Sequence, residues 1–180
     1  GVARAGNVIG GGDWADNRII PDAIKSLETK NKLIIRNPNA TRPWQHVLEP
    51  LSGYIALALD LKTSKINNGN VFNFGPSSIC NFTVQDILLE LKNSFIDLEW
   101  VVDKKINYKE ATLLSLDCSK AEKFLEWRST LDFNETIDYT TKWYSEYFKN
   151  KKSIKNFSLS QIKNYCELAK KRKLKWINHY

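Results

Sequence analysis

Val2-Ala3-Arg4-Ala5-Gly6-Asn7-Val8-Ile9-Gly10-Gly11-Gly12 is the stretch on which the fold class turns. Val2 to Val8 predicts a short strand that runs into the glycines. Downstream, Pro21 to Lys30 predicts a helix with Pro21 as its first residue, since a first turn has no use for the N–H that proline lacks. Lys32 to Arg36 reads as a short apolar strand, Leu51 to Lys62 as a helix with Pro50 near its start, and Val71 to Phe74 as a strand closed by Gly75-Pro76. Leu51, Tyr54, Ile55, Ala58 and Leu59 follow helical spacing, and Leu57 and Leu61 make that helix apolar nearly all round, which predicts burial between layers. Alternating strands and helices favour an α/β layer structure.

Further along, Thr83-x-x-Asp86 announces a helix by a capping box, with Val84, Ile87, Leu88 and Leu91 as its inner stripe. Leu98 to Val102 and Ala111 to Leu116 are strand candidates, and Ser119-x-x-Glu122 reads as the cap of a short helix. Ile137, Thr141, Tyr144 and Phe148 put one face of a helix from Glu135 to Lys149 against the core. Ser160 to Lys173 is a last helix with Ile162, Tyr165, Cys166 and Ala169 inward. Only two clear parallel-type strands appear, residues 2–8 and 71–74, too few for a doubly wound sheet. With no Met in the chain, the expectation is a piece of a longer protein whose apolar helix and strand edges are exposed when it stands alone.

The 180 residues are 42% hydrophobic and 26% charged, a composition of globular proteins. The longest apolar runs, such as Tyr54 to Leu59, fall far short of the roughly 20 residues of a membrane span, so no membrane partner is expected. The net charge of +7 is unevenly placed. Residues 1–150 carry 18 Lys and Arg against 19 acids, whereas residues 151–180 carry nine against Glu167 alone. The excess belongs to a solvated, partly helical tail and not to a folded basic face, which argues against nucleic acid. Cys80, Cys118 and Cys166 are widely spaced with no CxxC, and the only histidines are His46 and His179, which disfavours a zinc site. Unpaired thiols fit a reducing cytoplasm.

The chemistry concentrates between Arg4 and Glu49. Arg18, Arg36 and Arg42 stand in turns or at strand ends. A guanidinium is a planar fork of donors that matches phosphate bidentately, so three together would suit a diphosphate; scattered surface charges are the competing reading. In Arg42-Pro43-Trp44-Gln45-His46-Val47, Pro43 pushes Arg42 toward an extended conformation and a defined direction. Trp44 is either a wall against a nucleoside or a core aromatic. His46, with only Glu49 as a nearby carboxylate, reads as a structural residue. Gly10-Gly11-Gly12 lets backbone approach a ligand closely, but with Asp13-Trp14 following and no helix opening there it is not a GxxGxxG dinucleotide loop.

Taken together, Arg4 to Trp14, Asn17-Arg18-Ile19-Ile20-Pro21, Ile35-Arg36-Asn37-Pro38, Thr41 to Tyr54, Phe72-Asn73-Phe74-Gly75-Pro76, Glu110-Ala111, Leu116 to Ala121, Trp143-Tyr144 and Gln161-Ile162-x-x-Tyr165 closely resemble the C-terminal half of the CDP-glucose 4,6-dehydratase family, of the extended short-chain dehydrogenase/reductase superfamily. The resemblance covers about residues 1–166, and Arg-Pro-Trp-Gln-His-Val separates it from relatives with Arg-Asp at that point. It implies the C-terminal part of an NAD-binding Rossmann fold (residues 1–9 and 49–76), a smaller α/β nucleotide-sugar-binding domain (10–48 and 77–150) and a basic helical tail (151–180).

The implied reaction turns CDP-glucose into CDP-4-keto-6-deoxyglucose: NAD takes a hydride from C4, water leaves from C5 and C6, and the hydride returns to C6. By the same resemblance Ala5 and Gly6 lie beside the nicotinamide, and Asn7 and Arg42 meet the diphosphate. Arg18 contacts phosphate or base, Arg36 ends a strand that passes the pyrimidine, Trp44 belongs to the same wall, and Glu110 contacts the ribose. Asn107 and Lys109 stand where relatives often have Arg and His, departures at the ribose end. The dinucleotide loop and the Tyr-x-x-x-Lys pair are implied to lie upstream of Gly1. Tyr147 to Lys151 matches that pattern but sits at the end of a C-terminal helix, after the strand it should precede, and is set aside. The resemblance also implies a homo-oligomer for the full-length protein, since relatives often pair through helices of the upstream half. Another nucleotide-sugar epimerase or dehydratase, and a non-catalytic nucleotide-sugar-binding fragment, remain as alternatives.

Overall fold

The computed structural model describes residues 1–63, 67–76, 82–103 and 115–179. In chain order the elements are β1 (Val2–Ala5), β2 (Asn7–Ile9), α1 (Ile19–Thr29), β3 (Leu33–Ile35), β4 (Thr41–Arg42), β5 (Trp44–His46), α2 (Leu48–Thr63), β6 (Val71–Phe74), β7 (Phe82–Thr83), α3 (Val84–Ser94), β8 (Trp100–Val102), α4 (Ser119–Leu125), α5 (Phe133–Lys149), α6 (Ile154–Lys171) and a final 3-10 turn (Lys175–His179). Most of the strand expected at Ala111 to Leu116, and Cys80, lie outside the described residues.

The expected first strand is two strands that part at Gly6. β1 runs parallel to β6, from Val2 opposite Val71 to Ala5 opposite Phe74. β2 leaves that sheet and runs parallel to β5, from Asn7 opposite Trp44 to Ile9 opposite His46. The Phe74 carbonyl closes the fork by accepting from Gly6 N at 3.2 Å and from Gln45 Nε2 at 2.8 Å. Only glycine fits at the branch, since a Cβ there would stand 2.7 Å from the Pro43 carbonyl oxygen. β3 and β8 form a further parallel pair, and β4 and β7 an antiparallel one. Among the described residues β1 is paired along one edge only.

α1 begins at Ile19, two residues before Pro21. Its first i to i−4 bond runs from Asp22 N to Arg18 O, so Pro21 lies among the donors a first turn leaves unused and breaks nothing. α3 has the expected capping box, Thr83 Oγ1 accepting from Asp86 N while Asp86 accepts from Thr83 N. The box expected at Ser119 is absent: Cys118 is the N-cap, and Asp117 Oδ1 accepts from Ser119 N. α5 carries a box that the sequence reading passed over, Asp132 with Glu135. Of its expected inward face, Ile137, Thr141 and Tyr144 are buried and Phe148 is exposed.

α2 is turned the other way from its expected face. Leu51, Tyr54 and Ile55 are 45%, 37% and 46% exposed, while Glu49, Ser52, Gly53, Ala56 and Leu57 face inward. Polar anchors set this rotation. Glu49 accepts from Thr130 N at 2.9 Å and Leu131 N at 2.7 Å, Ser52 Oγ accepts from Trp127 Nε1 at 2.8 Å, and Gly53 leaves the space that the Phe74 ring fills.

Two apolar clusters result. One gathers Ile20, Ile24, Ile35, Trp44, Leu88, Phe133 and Tyr144; the other gathers Leu57, Phe72, Phe74, Leu125, Trp127 and Tyr165. Residues 151–177 are less solvated than their charge suggests. Tyr165, Ala169, Trp176 and Ile177 are buried in the second cluster, Cys166 is half-buried and Ile162 exposed, and the lysines stay outside.

Candidate functional site

A cleft of about 640 Å³ opens where β1 ends and β2 begins, and six of the expected site residues line it: Ala5, Gly6, Asn7, Arg18, Arg42 and Trp44. Its position outside the carboxyl end of a parallel strand is where α/β sheets place their ligands. Asn7 opens β2 directly after the fork. Arg42, held between Thr41 and the buried ring of Pro43, sits on β4 opposite Phe82 and donates from Nη1 to the Thr41 carbonyl at 2.8 Å. Trp44 belongs to the core and also borders the cleft. It is 7% exposed and part of the core, its Nε1 donates to Phe82 O at 3.1 Å, and its ring still forms part of the cleft wall.

Arg18 is the N-cap residue of α1 in extended conformation, and its Nη1 pairs with Asp13 Oδ2 at 3.1 Å. Arg36 follows β3 outside the described lining; its Nη2 lies 3.4 Å from Oδ1 of Asn17, which does line the cleft. Asn17 takes a left-handed conformation (φ 61°), one that asparagine tolerates better than most residues. Asp13 and Asn17 were not singled out in the sequence. The only signal was their place between the glycines and Arg18. Glu110, Asn107 and Lys109 lie outside the described residues.

Gly11 and Gly12 make room for the protein's own side chain, while Gly10 lines the cleft. A Cβ on Gly11 would fall inside the Trp143 indole, and Gly12, at φ 83°, lies against the same ring. Tyr144 Oη donates to the Asp13 carbonyl at 2.7 Å, and Trp14 packs edge-on against Tyr144 at 5.4 Å. The loop that carries Asp13 and Arg18 is therefore fixed from behind by α5.

His46 is structural, as read. It is 3% exposed, Nδ1 accepts from Leu48 N, and burial pushes its pKa down to about 4. Burial pushes Glu49 up to about 7, against the bonds it accepts from Leu131, Thr130 and Tyr165. Burial likewise raises the Cys118 thiol to about 11, so it is not a poised nucleophile. Tyr147 stacks on Trp143 with Lys151 Nζ 4.7 Å over its ring, an aromatic and cation–π arrangement outside the cleft lining. Among the described residues no helix is long and apolar enough to cross a membrane.

No family model matches the chain. CDP-glucose 4,6-dehydratase of Salmonella typhimurium (strain LT2) is 44% identical over 147 residues, which is 81% of this chain; the chain spans 41% of that relative's length. Among solved structures, UDP-glucuronic acid 4-epimerase from Bacillus cereus, in complex with UDP-glucuronic acid and NAD, superposes with a TM-score of 0.67 at 20% identity, covering 80% of this chain and 44% of that one. For dTDP-glucose 4,6-dehydratase from Bacillus anthracis in complex with NAD the TM-score is 0.61 at 18% identity, covering 81% and 44%. For UDP-glucose 4-epimerase from Thermotoga maritima with UDP-glucose it is 0.68 at 18% identity, covering 82% and 46%. The mixed α/β architecture, with a parallel strand pair whose carboxyl end borders the cleft, is that of part of a Rossmann fold. By sequence the chain is similar to part of CDP-glucose 4,6-dehydratase from Salmonella typhimurium, and by fold to part of epimerases and dehydratases solved with NAD.

Proposed function

We propose that this chain is the substrate-binding part of an NAD-dependent cytoplasmic enzyme that dehydrates CDP-glucose to CDP-4-dehydro-6-deoxyglucose. One observation carries the reading: Asn7, Arg18 and Arg42, separated in sequence, line a single cleft with Ala5 and Gly6 at the strand fork. The guanidinium fork of Arg42, with the Asn7 carboxamide, grips the diphosphate through charge-assisted hydrogen bonds, and Arg18, paired with Asp13, stands beside them. Arg36 supports the rim through Asn17. Gripped there, the sugar is directed along the start of β2 toward Ala5 and Gly6. The wall at that point is a methyl group and bare backbone, which fits a flat nicotinamide ring. When bound, NAD supplies the temporary oxidation at C4 and the reduction at C6. Glu110 is assigned to the ribose by the resemblance alone.

A second reading, an enzyme of another sugar nucleotide, draws on the UDP- and dTDP-sugar enzymes that share the fold. Titration calorimetry of the full-length protein with CDP-, dTDP-, UDP- and GDP-glucose decides between them. CDP-glucose is expected to bind most tightly and to yield the dehydrated product. Preference for another nucleotide would favour the second reading, and no binding of any would refute both.

A further inference from the structure

Among the described residues that line the cleft, Asp13 is the only acid. In a site built for an anion, a carboxylate is a liability unless it has a use. Asp13 is held with unusual care for a loop residue. Its backbone carbonyl accepts from Tyr144 Oη at 2.7 Å, Oδ1 accepts from Ala15 N at 3.0 Å, and Oδ2 faces Arg18 Nη1 at 3.1 Å. Gly11 and Gly12, just before it, are immobilised against the Trp143 ring. What this arrangement presents at the rim is an acceptor (Asp13 Oδ2, with a lone pair beyond the ion pair) beside donors (the remaining N–H groups of Arg18).

We infer that the Asp13–Arg18 pair reads the base of the nucleotide and selects cytosine over uracil and thymine. This rests on the nucleotide-sugar reading of the cleft. The edge of cytosine offers a donor (the 4-amino group) followed by two acceptors (N3 and O2). An acceptor followed by donors is its complement, the same order that guanine presents to it. Uracil and thymine offer acceptor, donor, acceptor: their O4 would meet the Asp13 carboxylate and their N3–H the Arg18 guanidinium, two repulsive contacts. Selection comes as much from rejecting the wrong base as from holding the right one. The paired charges also explain how an acid stands beside a diphosphate: Arg18 neutralises it.

The test is titration calorimetry of CDP and UDP on full-length wild type, Asp13→Asn and Arg18→Lys, with thermal melting of each to confirm folding. Wild type is expected to favour CDP at least tenfold, in line with the discrimination a good pair of base contacts supplies. Asp13→Asn can turn its amide to donate to O4, so CDP should weaken about tenfold, UDP should hold or improve, and the ratio should fall below about threefold. Arg18→Lys keeps the charge but loses the fork, so it too should lower the ratio. If Asp13→Asn does not fold, Arg18→Lys decides. An unchanged CDP to UDP ratio in the variants overturns the inference and leaves the proposed function standing. Equal weakening of both nucleotides also overturns it, pointing to a ribose contact or a structural role. A wild type without CDP preference overturns both.

Discussion

The carboxylate of Glu49 accepts the hydroxyl of Tyr165 at 2.9 Å across 116 positions of sequence. Tyr165 lies on α6 and Glu49 on α2, directly after the strand that carries Trp44. The last long helix is thus bonded to the element that follows the cleft wall. Tyr165→Phe keeps the ring and removes the donor. It should lower unfolding free energy by about 1–2 kcal/mol, measured in denaturant on the full-length protein. A change below about 0.3 kcal/mol would show that this bond adds nothing beyond the ring's packing.

Glu49 and His46 should oppose each other in acid. Glu49 is raised from 4.5 to about 7, so its contribution to stability is fully present below pH 4.5 and is lost as pH rises through 7. His46 is lowered from 6.5 to about 4, so its contribution is fully present above pH 6.5 and is lost as pH falls through 4. Between 4.5 and 6.5 the two slopes, each about 1.4 kcal/mol per pH unit, cancel. Relative to wild type, Glu49→Gln should make stability rise with pH across that window, and His46→Gln should make it fall. Denaturant midpoints at half-unit steps check the signs.

Arg42→Ala in the full-length protein should weaken substrate binding by about 2–5 kcal/mol, the loss typical of a broken buried charge pair. Arg42→Lys should recover only part, since an ammonium cannot make the forked contact. Calorimetry reads both, and a loss under about 0.5 kcal/mol would make Arg42 a surface charge.

The outward apolar face of α2 should matter more than an equally exposed residue elsewhere. If that face packs on the rest of a longer protein, Ile55→Glu should lower the full-length melting temperature by several degrees, as a buried charge would. Leu159→Glu, on the outer side of α6, should leave it within about one degree. Equal effects would mean that the α2 face is ordinary surface.

Much of this was legible because local chemistry spoke in one direction. The capping box at Thr83 and the strand at Val71–Phe74 fell where pattern put them, and Ala5 to Asn7, Arg18, Arg42 and Trp44 share one cleft. The rotation of α2 was not legible, because an all-round apolar helix carries no directional signal and its inner face is chosen by Glu49, Ser52 and Gly53. Counting apolar residues cannot rank a buried glutamate above an exposed leucine. The glycine run was open for a related reason: a missing side chain shows that something comes close, without saying whether it is a ligand or, as at Gly11 and Gly12, Trp143. Asp13 had a sequence position but no recognisable role until Tyr144 and Arg18 were seen on either side of it.

The fork at Gly6 turns one piece of backbone into a ruler. Ala5 closes the strand on one side and Asn7 opens the strand on the other, about 7 Å apart at the rise of extended chain. Under the proposed function, in which Asn7 meets the diphosphate and Ala5 adjoins the nicotinamide, covalent geometry and not the play of a hinge would set the spacing between phosphates and oxidised carbon. A substrate longer or shorter by one bond between those points would present the wrong carbon.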